Sequence, residues 1–271
     1  MSTVTDIRAE EVEAGILRIT LDGATTRNSI GRDQYDALRA TLIDAATRRD
    51  LRAVVLTGAG GFFSSGGNVS ALKEGRALPL SEVMKNTDAL GAMILALRNC
   101  PLPVIGAVEG GAAGLGLALA LSCDMLVASE AAKFTAAYVK IGLTPDGGTT
   151  HFLREALPRQ LVSEMCLLGR PLPAARLHQA GAINLLTPEG GALEGAMELA
   201  RACAKGPRTA MAAIKAEIEA APLNGLAAQL DLEARGINTA RYGDEAGEGL
   251  AAFLEKRTPD FGPQGGEGES R

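Results

Sequence analysis

The chain has 271 residues, enough for one or two domains of ordinary size. Hydrophobic residues make up 46% of it and charged residues 22%, which supplies a sizeable core and excludes general disorder. A net charge of −5, no Trp and 3% aromatic residues exclude a basic, ring-studded surface for nucleic acid.

The first residues, MSTVTDIRAEEVEAG, are acidic and lack the apolar run of a secretory signal. Cys100, Cys123, Cys166 and Cys203 lie far apart in apolar settings, the usage of buried free thiols in a reducing compartment. The uncharged stretch from Gly110 to Cys123 is shorter than the roughly 20 residues that span a bilayer. Cytoplasmic location and no membrane partner are therefore expected.

Ile16 to Leu21 alternates as a half-buried strand, and Tyr35, Leu38, Leu42 and Ala45 mark the inner face of a helix. Ala53 to Thr57 reads as a strand buried on both faces. A glycine-rich loop, Gly58 to Asn68, follows. Next comes a long helix with Ser81 as its N-cap and Leu80, Val83, Met84, Leu90, Ile94 and Leu97 along one face. The pattern then repeats: strand Pro103 to Val108, glycine-rich turn Gly110 to Gly116, helix Leu117 to Ser122, strand Met125 to Ala128. Repeated strand–loop–helix units predict an α/β core over residues 1–190, with sites at the carboxyl ends of parallel strands. Residues 191–205, 208–221, 226–242 and 244–256 read as helices broken at Gly206-Pro207, Pro222 and Gly243, so 191–257 is expected to be a helical subdomain. The Gly/Pro-rich tail, 258–271, is expected to be flexible, with Phe261 able to dock.

Neither glycine loop is a nucleotide loop. No GxxxxGK[ST] is present, and Gly114-Leu115-Gly116 lacks the third glycine of a dinucleotide fingerprint. There is no GxSxG elbow, and Ser64 and Ser65 read as loop caps. His151 and His178 are the only histidines, and no cluster has metal-ligand spacing, so no metal is expected. Two readings of the loops remain. Either the glycines serve tight turns and close packing, or the loops converge their N–H groups on one developing oxyanion.

The order of the motifs bears on that choice. Arg27-Asn28-Ser29-Ile30 looks like an RNAL-type segment and Phe63 to Asn68 like an FxAGxD-type loop. Gly110 to Asp124 is a glycine-rich run ending in Cys-Asp. Gly142 to Thr149 is similar to GxxPDxGGT, and Phe253 to Phe261 to FxxKRxPxF. Over residues 12–261 the chain thereby resembles the crotonase (enoyl-CoA hydratase/isomerase) superfamily, most closely its PaaG-like single-aspartate isomerases. The resemblance implies a spiral of ββα units with a helical C-terminal trimerisation subdomain, and homotrimers that often pair into hexamers. It implies an acyl-CoA thioester substrate, with coenzyme A entering only as part of it and no separate cofactor. It places the oxyanion-hole amides on Ser65 and Leu115. Substrate contacts fall on Arg27, Ser64, Gly66, Gly67, Asn68, Gly114, Tyr138, Phe253 and Lys256. Arg27 and Lys256, the latter from this or a neighbouring subunit, are the candidates for the coenzyme's phosphates, with solvated surface charge as the alternative for each. Met84 and Leu90 are candidates for the acyl pocket.

Hydratases of the family use two glutamates. Alignment through Gly110–Asp124 puts Ala118 at the first of these positions, and counting from Phe134 to Gly142 puts Tyr138 at the second. A tyrosine is a poor base at neutral pH. Asp146 remains, and its position resembles that of the catalytic aspartate in single-aspartate isomerases. It could shuttle a proton from the α-carbon to the γ-carbon of an enoyl thioester, or merely cap the helix that follows. Glu109, beside the second loop, is an alternative acid or base. The readings in play are thus a single-aspartate isomerase, a hydratase with atypical groups, and a catalytically silent acyl-CoA-binding homologue.

Overall fold

The computed structural model describes residues 5–262. Strands β1 (Asp6–Glu13) and β2 (Ile16–Asp22) form an antiparallel hairpin, followed by helix α1 (Arg32–Thr47) and strand β3 (Ala53–Gly58). The pair α2 (Val69–Gly75) and α3 (Leu80–Arg98) leads to β4 (Val104–Val108), β5 (Gly111–Ala113), α4 (Leu115–Leu121), β6 (Met125–Ser129) and β7 (Lys133–Thr135). After α5 (Thr149–Ala156), α6 (Arg159–Leu168), β8 (Leu172–Pro173), α7 (Ala174–Gln179) and β9 (Leu185–Thr187), the described chain is helical. Its last helices are α8 (Ala192–Ala204), α9 (Arg208–Ala220), α10 (Leu226–Arg241) and α11 (Asp244–Glu255).

One sheet runs β1-β2-β3-β4-β6-β9, parallel from β2 onward, and a smaller one runs β5-β7-β8. Successive turns of chain feed both sheets, in the manner of the expected ββα spiral. All five residues of β4 and five of six in β3 are buried, because helices cover both faces of the large sheet. On one face Tyr35, Leu38, Leu42 and Ala45 of α1 pack with Leu90, Met93 and Leu97 of α3, at the spacing the sequence predicts. On the other, Ile16, Val55, Ile105 and Val127 pack against Ala192, Ala196, Met197 and Ala200 of α8.

The differences from expectation have local causes. β1 is an edge strand with a largely exposed acidic face, so it carries no hydrophobic alternation to read. The long helix starts after Pro79, not at a Ser81 cap. Leu80 and Met84 on its expected inner face are exposed, and only its second half enters the core. The four C-terminal helices stand where the sequence puts them. However, α8 shares a core with the sheet, so the boundary at residue 190 does not separate two packed units. Within the described part of the tail, Asp260 N–H donates to Glu248 (2.8 Å) and the Phe261 ring lies against Gly249, so this part is tied to α11. The rest of the expected flexible tail lies outside the described residues. Among the described residues no helix is long and apolar enough to cross a membrane.

Candidate active site

The first glycine loop leaves β3 and is held by Asn28, which is fully buried. Its side-chain amide donates to the carbonyls of Ala59 (2.9 Å), Phe62 (2.6 Å) and Phe63 (3.2 Å), and its Oδ1 accepts from Gly23 N–H at 2.8 Å. Arg27 and Asn28 are both in the left-handed region, φ 51° and 55°, so the chain doubles back beneath the loop.

That geometry corrects the assignment of the first oxyanion amide. Ser65 N–H donates to the Arg27 carbonyl at 2.8 Å, and Ser65 Oγ to the Thr26 carbonyl at 3.0 Å, so neither donor of this residue is left open. Ser64 is no substrate contact either: it is fully buried, its hydroxyl donating to Asn28 O (2.8 Å) and accepting from Gly66 N–H (3.1 Å). Gly66, also buried, is required by packing. At φ 93°, a Cβ there would lie 2.5 Å from Ala113 O and 2.9 Å from Leu115 N. Asn68 caps α2, its side chain accepting from Ser70 N–H (3.0 Å) and Ala71 N–H (3.2 Å). Gly67 is left half-buried, with an N–H that meets no protein acceptor among the described residues.

Gly114 sits at φ 53° with its N–H given to Thr135 O (2.9 Å), and Leu115 opens α4. As the first helical residue Leu115 has no intrahelical acceptor, and its N–H meets none elsewhere among the described residues. Two unpartnered amides, those of Gly67 and Leu115, thus stand on loops in direct contact, beside the positive end of a helix dipole. The two glycines of the first loop differ in what surrounds them. Gly66 serves close packing, and Gly67 presents its amide.

The Asp146 loop packs onto the same place. A Cβ on Gly147 would lie 2.6 Å from Leu115 Cδ1, 3.5 Å from Ala118 Cβ and 3.8 Å from Leu90 Cδ1. A Cβ on Gly114 would lie 3.9 Å from Tyr138 Cζ. The Asp146 carboxyl is not a helix cap: Thr149 N–H goes to its main-chain carbonyl (3.0 Å), while Oδ1 accepts from the Tyr138 hydroxyl at 2.9 Å. Tyr138 Oη is also 3.0 Å from Thr149 Oγ1, which lies 2.8 Å from Asp146 O. Burial raises the proton affinity of the half-buried carboxyl above the ordinary aspartate value, opposed by the Tyr138 hydrogen bond and by its own N–H. Burial and the neighbouring Asp146 charge push Tyr138 far up, so its hydroxyl stays protonated. Buried Tyr35 of α1 is pushed up to about 12, by burial first and by the Asp146 charge second.

Glu109 does not join the site. Its Oε1 accepts from Ala192 N–H at 2.8 Å, at the start of α8. Arg27 is exposed, its guanidinium 5.4 Å above the Phe62 ring. Phe253 (81% exposed) and Lys256 (left-handed, φ 58°) end α11, a helix packed on α10. Leu90 is buried beside Gly147, whereas Met84 is exposed further back on α3. Sequence reasoning missed Thr149, Tyr35, the clamp at Asn28 and the role of Gly67. The signal for Gly67 was its place next to a glycine that must itself be buried.

The match to known proteins covers nearly the whole chain. The family model for enoyl-CoA hydratase/isomerase matches residues 11–264. A probable enoyl-CoA hydratase of Rhodobacter capsulatus is 36% identical over 93% of this chain and 96% of its own length. The 1,2-epoxyphenylacetyl-CoA isomerase of Escherichia coli is 33% identical over 92% and 96%. A crystal structure of an enoyl-CoA hydratase from a Polaromonas species superposes with a TM-score of 0.91 at 38% identity, covering 94% of this chain and 98% of that one. The chain belongs to the enoyl-CoA hydratase/isomerase family, within the crotonase superfamily.

Proposed function

We propose that the protein is an enoyl-CoA double-bond isomerase with Asp146 as its single proton shuttle. The observation that carries this reading is the Asp146 carboxyl, half-buried and anchored by one oxygen, on a loop packed against Leu115. Apolar Ala118 and hydroxyl-bearing Tyr138 occupy the positions aligned with the two hydratase glutamates. In the reaction, the N–H groups of Gly67 and Leu115 receive the thioester oxygen. Asp146 takes a proton from the α-carbon of a 3-enoyl thioester, the electron pair moves onto that oxygen as a dienolate, and the same carboxyl returns the proton to the γ-carbon. The double bond ends between the α- and β-carbons, and no atom is gained or lost. Raised proton affinity suits a carboxyl that must both accept and return a proton. Coenzyme A belongs to the substrate, and the step uses no further cofactor. Arg27, and Lys256 of this or a neighbouring subunit, offer cations for its phosphates, and Phe253 an apolar contact.

A homotrimer or hexamer in the cytoplasm completes the reading. The assembly is supported by exposed apolar side chains on and around the C-terminal helices: Leu223 at 83%, Leu226 at 76%, Tyr242 at 90% and Leu254 at 80%. Light scattering on the purified protein should give three or six chains, and a monomer would remove this part. For the activity, 3-enoyl-CoA conversion and water addition to a 2-enoyl-CoA are followed in parallel. Isomerisation without hydration, lost by about 10²- to 10⁴-fold in Asp146→Asn, is expected. Hydration at a matching rate would assign the protein to hydratases with other acid–base groups, as the names of two relatives suggest. No turnover of any enoyl-CoA offered would favour the silent homologue.

A further inference from the structure

We infer that Tyr138 and Thr149 form a donor chain that holds Asp146 by one oxygen, making both of them positioning residues and leaving Oδ2 alone to carry the shuttled proton. The inference rests on the proposed role of Asp146 and adds which of its atoms reacts. Its basis is a count of protons. The Tyr138 hydroxyl lies 2.9 Å from Asp146 Oδ1 and 3.0 Å from Thr149 Oγ1, and Thr149 Oγ1 lies 2.8 Å from Asp146 O. Two hydroxyl protons serve these three contacts.

The Tyr138 proton goes to the strongest acceptor, the carboxylate. The Tyr138–Thr149 contact is then filled only by the Thr149 proton, shared between Tyr138 Oη and Asp146 O. Thr149 is 1% exposed and Tyr138 9%, so both side chains are buried. When Asp146 takes up a proton on Oδ2, Oδ1 still accepts from Tyr138 and no hydroxyl has to turn. The carboxyl therefore keeps one orientation through both transfers, as a shuttle between two carbons of one substrate requires. The chain also opposes the effect of burial by favouring the ionised form.

The test compares the parent protein with Tyr138→Phe, Thr149→Val, Thr149→Ser and Asp146→Asn. In Tyr138→Phe the acidic limb of the kcat profile should move up by about one pH unit, with kcat at neutral pH down about tenfold and KM within about twofold. Thr149→Val should shift the limb the same way by less, and Thr149→Ser should restore it. Infrared difference titration, assigned by the band lost in Asp146→Asn, reads the Asp146 carboxyl without turnover and should show the same upward shift. An unchanged limb and carboxyl titration in Tyr138→Phe would overturn the inference. If Tyr138→Phe fails to fold, equal profiles for Thr149→Val and Thr149→Ser would overturn it. Turnover surviving Asp146→Asn would instead remove the underlying shuttle, a failure told apart by that variant alone.

Discussion

Ser65 donates its main-chain N–H to the carbonyl of Arg27, 2.8 Å away and 38 residues earlier in the chain. That bond ties the first glycine loop to the strained turn beneath it. It also moves the open amide two residues on, to Gly67, where the loop faces the start of α4.

Two neighbouring glycines should therefore answer differently to the same added methyl group. An alanine at Gly67 meets no atom within 4 Å, so Gly67→Ala should fold normally and keep kcat within about tenfold. At Gly66 the methyl group would press on Ala113 O and Leu115 N at a positive φ. Gly66→Ala should cost about 2 kcal/mol or more in urea unfolding and lower kcat by at least about 10²-fold.

Asp146 should be a destabilising charge at neutral pH. Its proton affinity is higher folded than unfolded, chiefly through burial, so the stability it contributes is present in acid, where both states are protonated. That contribution is lost as pH rises through the folded value. Asp146→Asn cannot ionise and still offers an oxygen to Tyr138. Its melting temperature should exceed the parent's at pH 8, and the difference should shrink as pH falls toward the ordinary aspartate range. A gap that widened in acid would contradict the burial argument.

Asn28 should be among the least replaceable polar residues. Asn28→Ala strands a buried N–H, removes the shared donor to three carbonyls and leaves alanine at φ 55°. A loss of about 2–4 kcal/mol in urea unfolding is expected. Asn28→Asp should fare worse, since a carboxylate placed among three carbonyls can only repel them.

At the opposite ends of the strands, Lys215 of α9 pairs with Asp124 at 2.7 Å, and Asp124 also accepts from Val104 N–H at 2.7 Å. The two side chains are 11% and 19% exposed. Asp124→Ala leaves a strand N–H without a partner and the ammonium without its counter-charge, with only the Leu102 carbonyl (3.3 Å) to receive it, and should cost about 3–5 kcal/mol. Lys215→Met removes one charge but keeps the Val104 bond, so it should cost less, read as a smaller drop in urea midpoint.

Much of the fold was legible because its central elements bury whole faces. The α1 face at Tyr35, Leu38, Leu42 and Ala45 and the buried run of β3 follow from hydrophobic spacing alone. β1 was not legible, because an edge strand with acidic side chains in solvent has no apolar period. The first half of α3 misled for the converse reason. Its apolar side chains at Leu80 and Met84 face out, so their spacing points to a core that is not there.

The sequence by itself determined the strand–loop–helix plan, the two glycine loops, the absence of carboxylates at positions 118 and 138, and the lone Asp146 between helices. Residue types and local spacing carry these properties. Tertiary structure decided which groups are spent. It gave the Ser65 amide to Arg27, Glu109 to the start of α8, and the Tyr138 hydroxyl to Asp146. A hydrogen-bond donor serves whichever acceptor the fold brings within about 3 Å, and that acceptor lies many residues away along the chain.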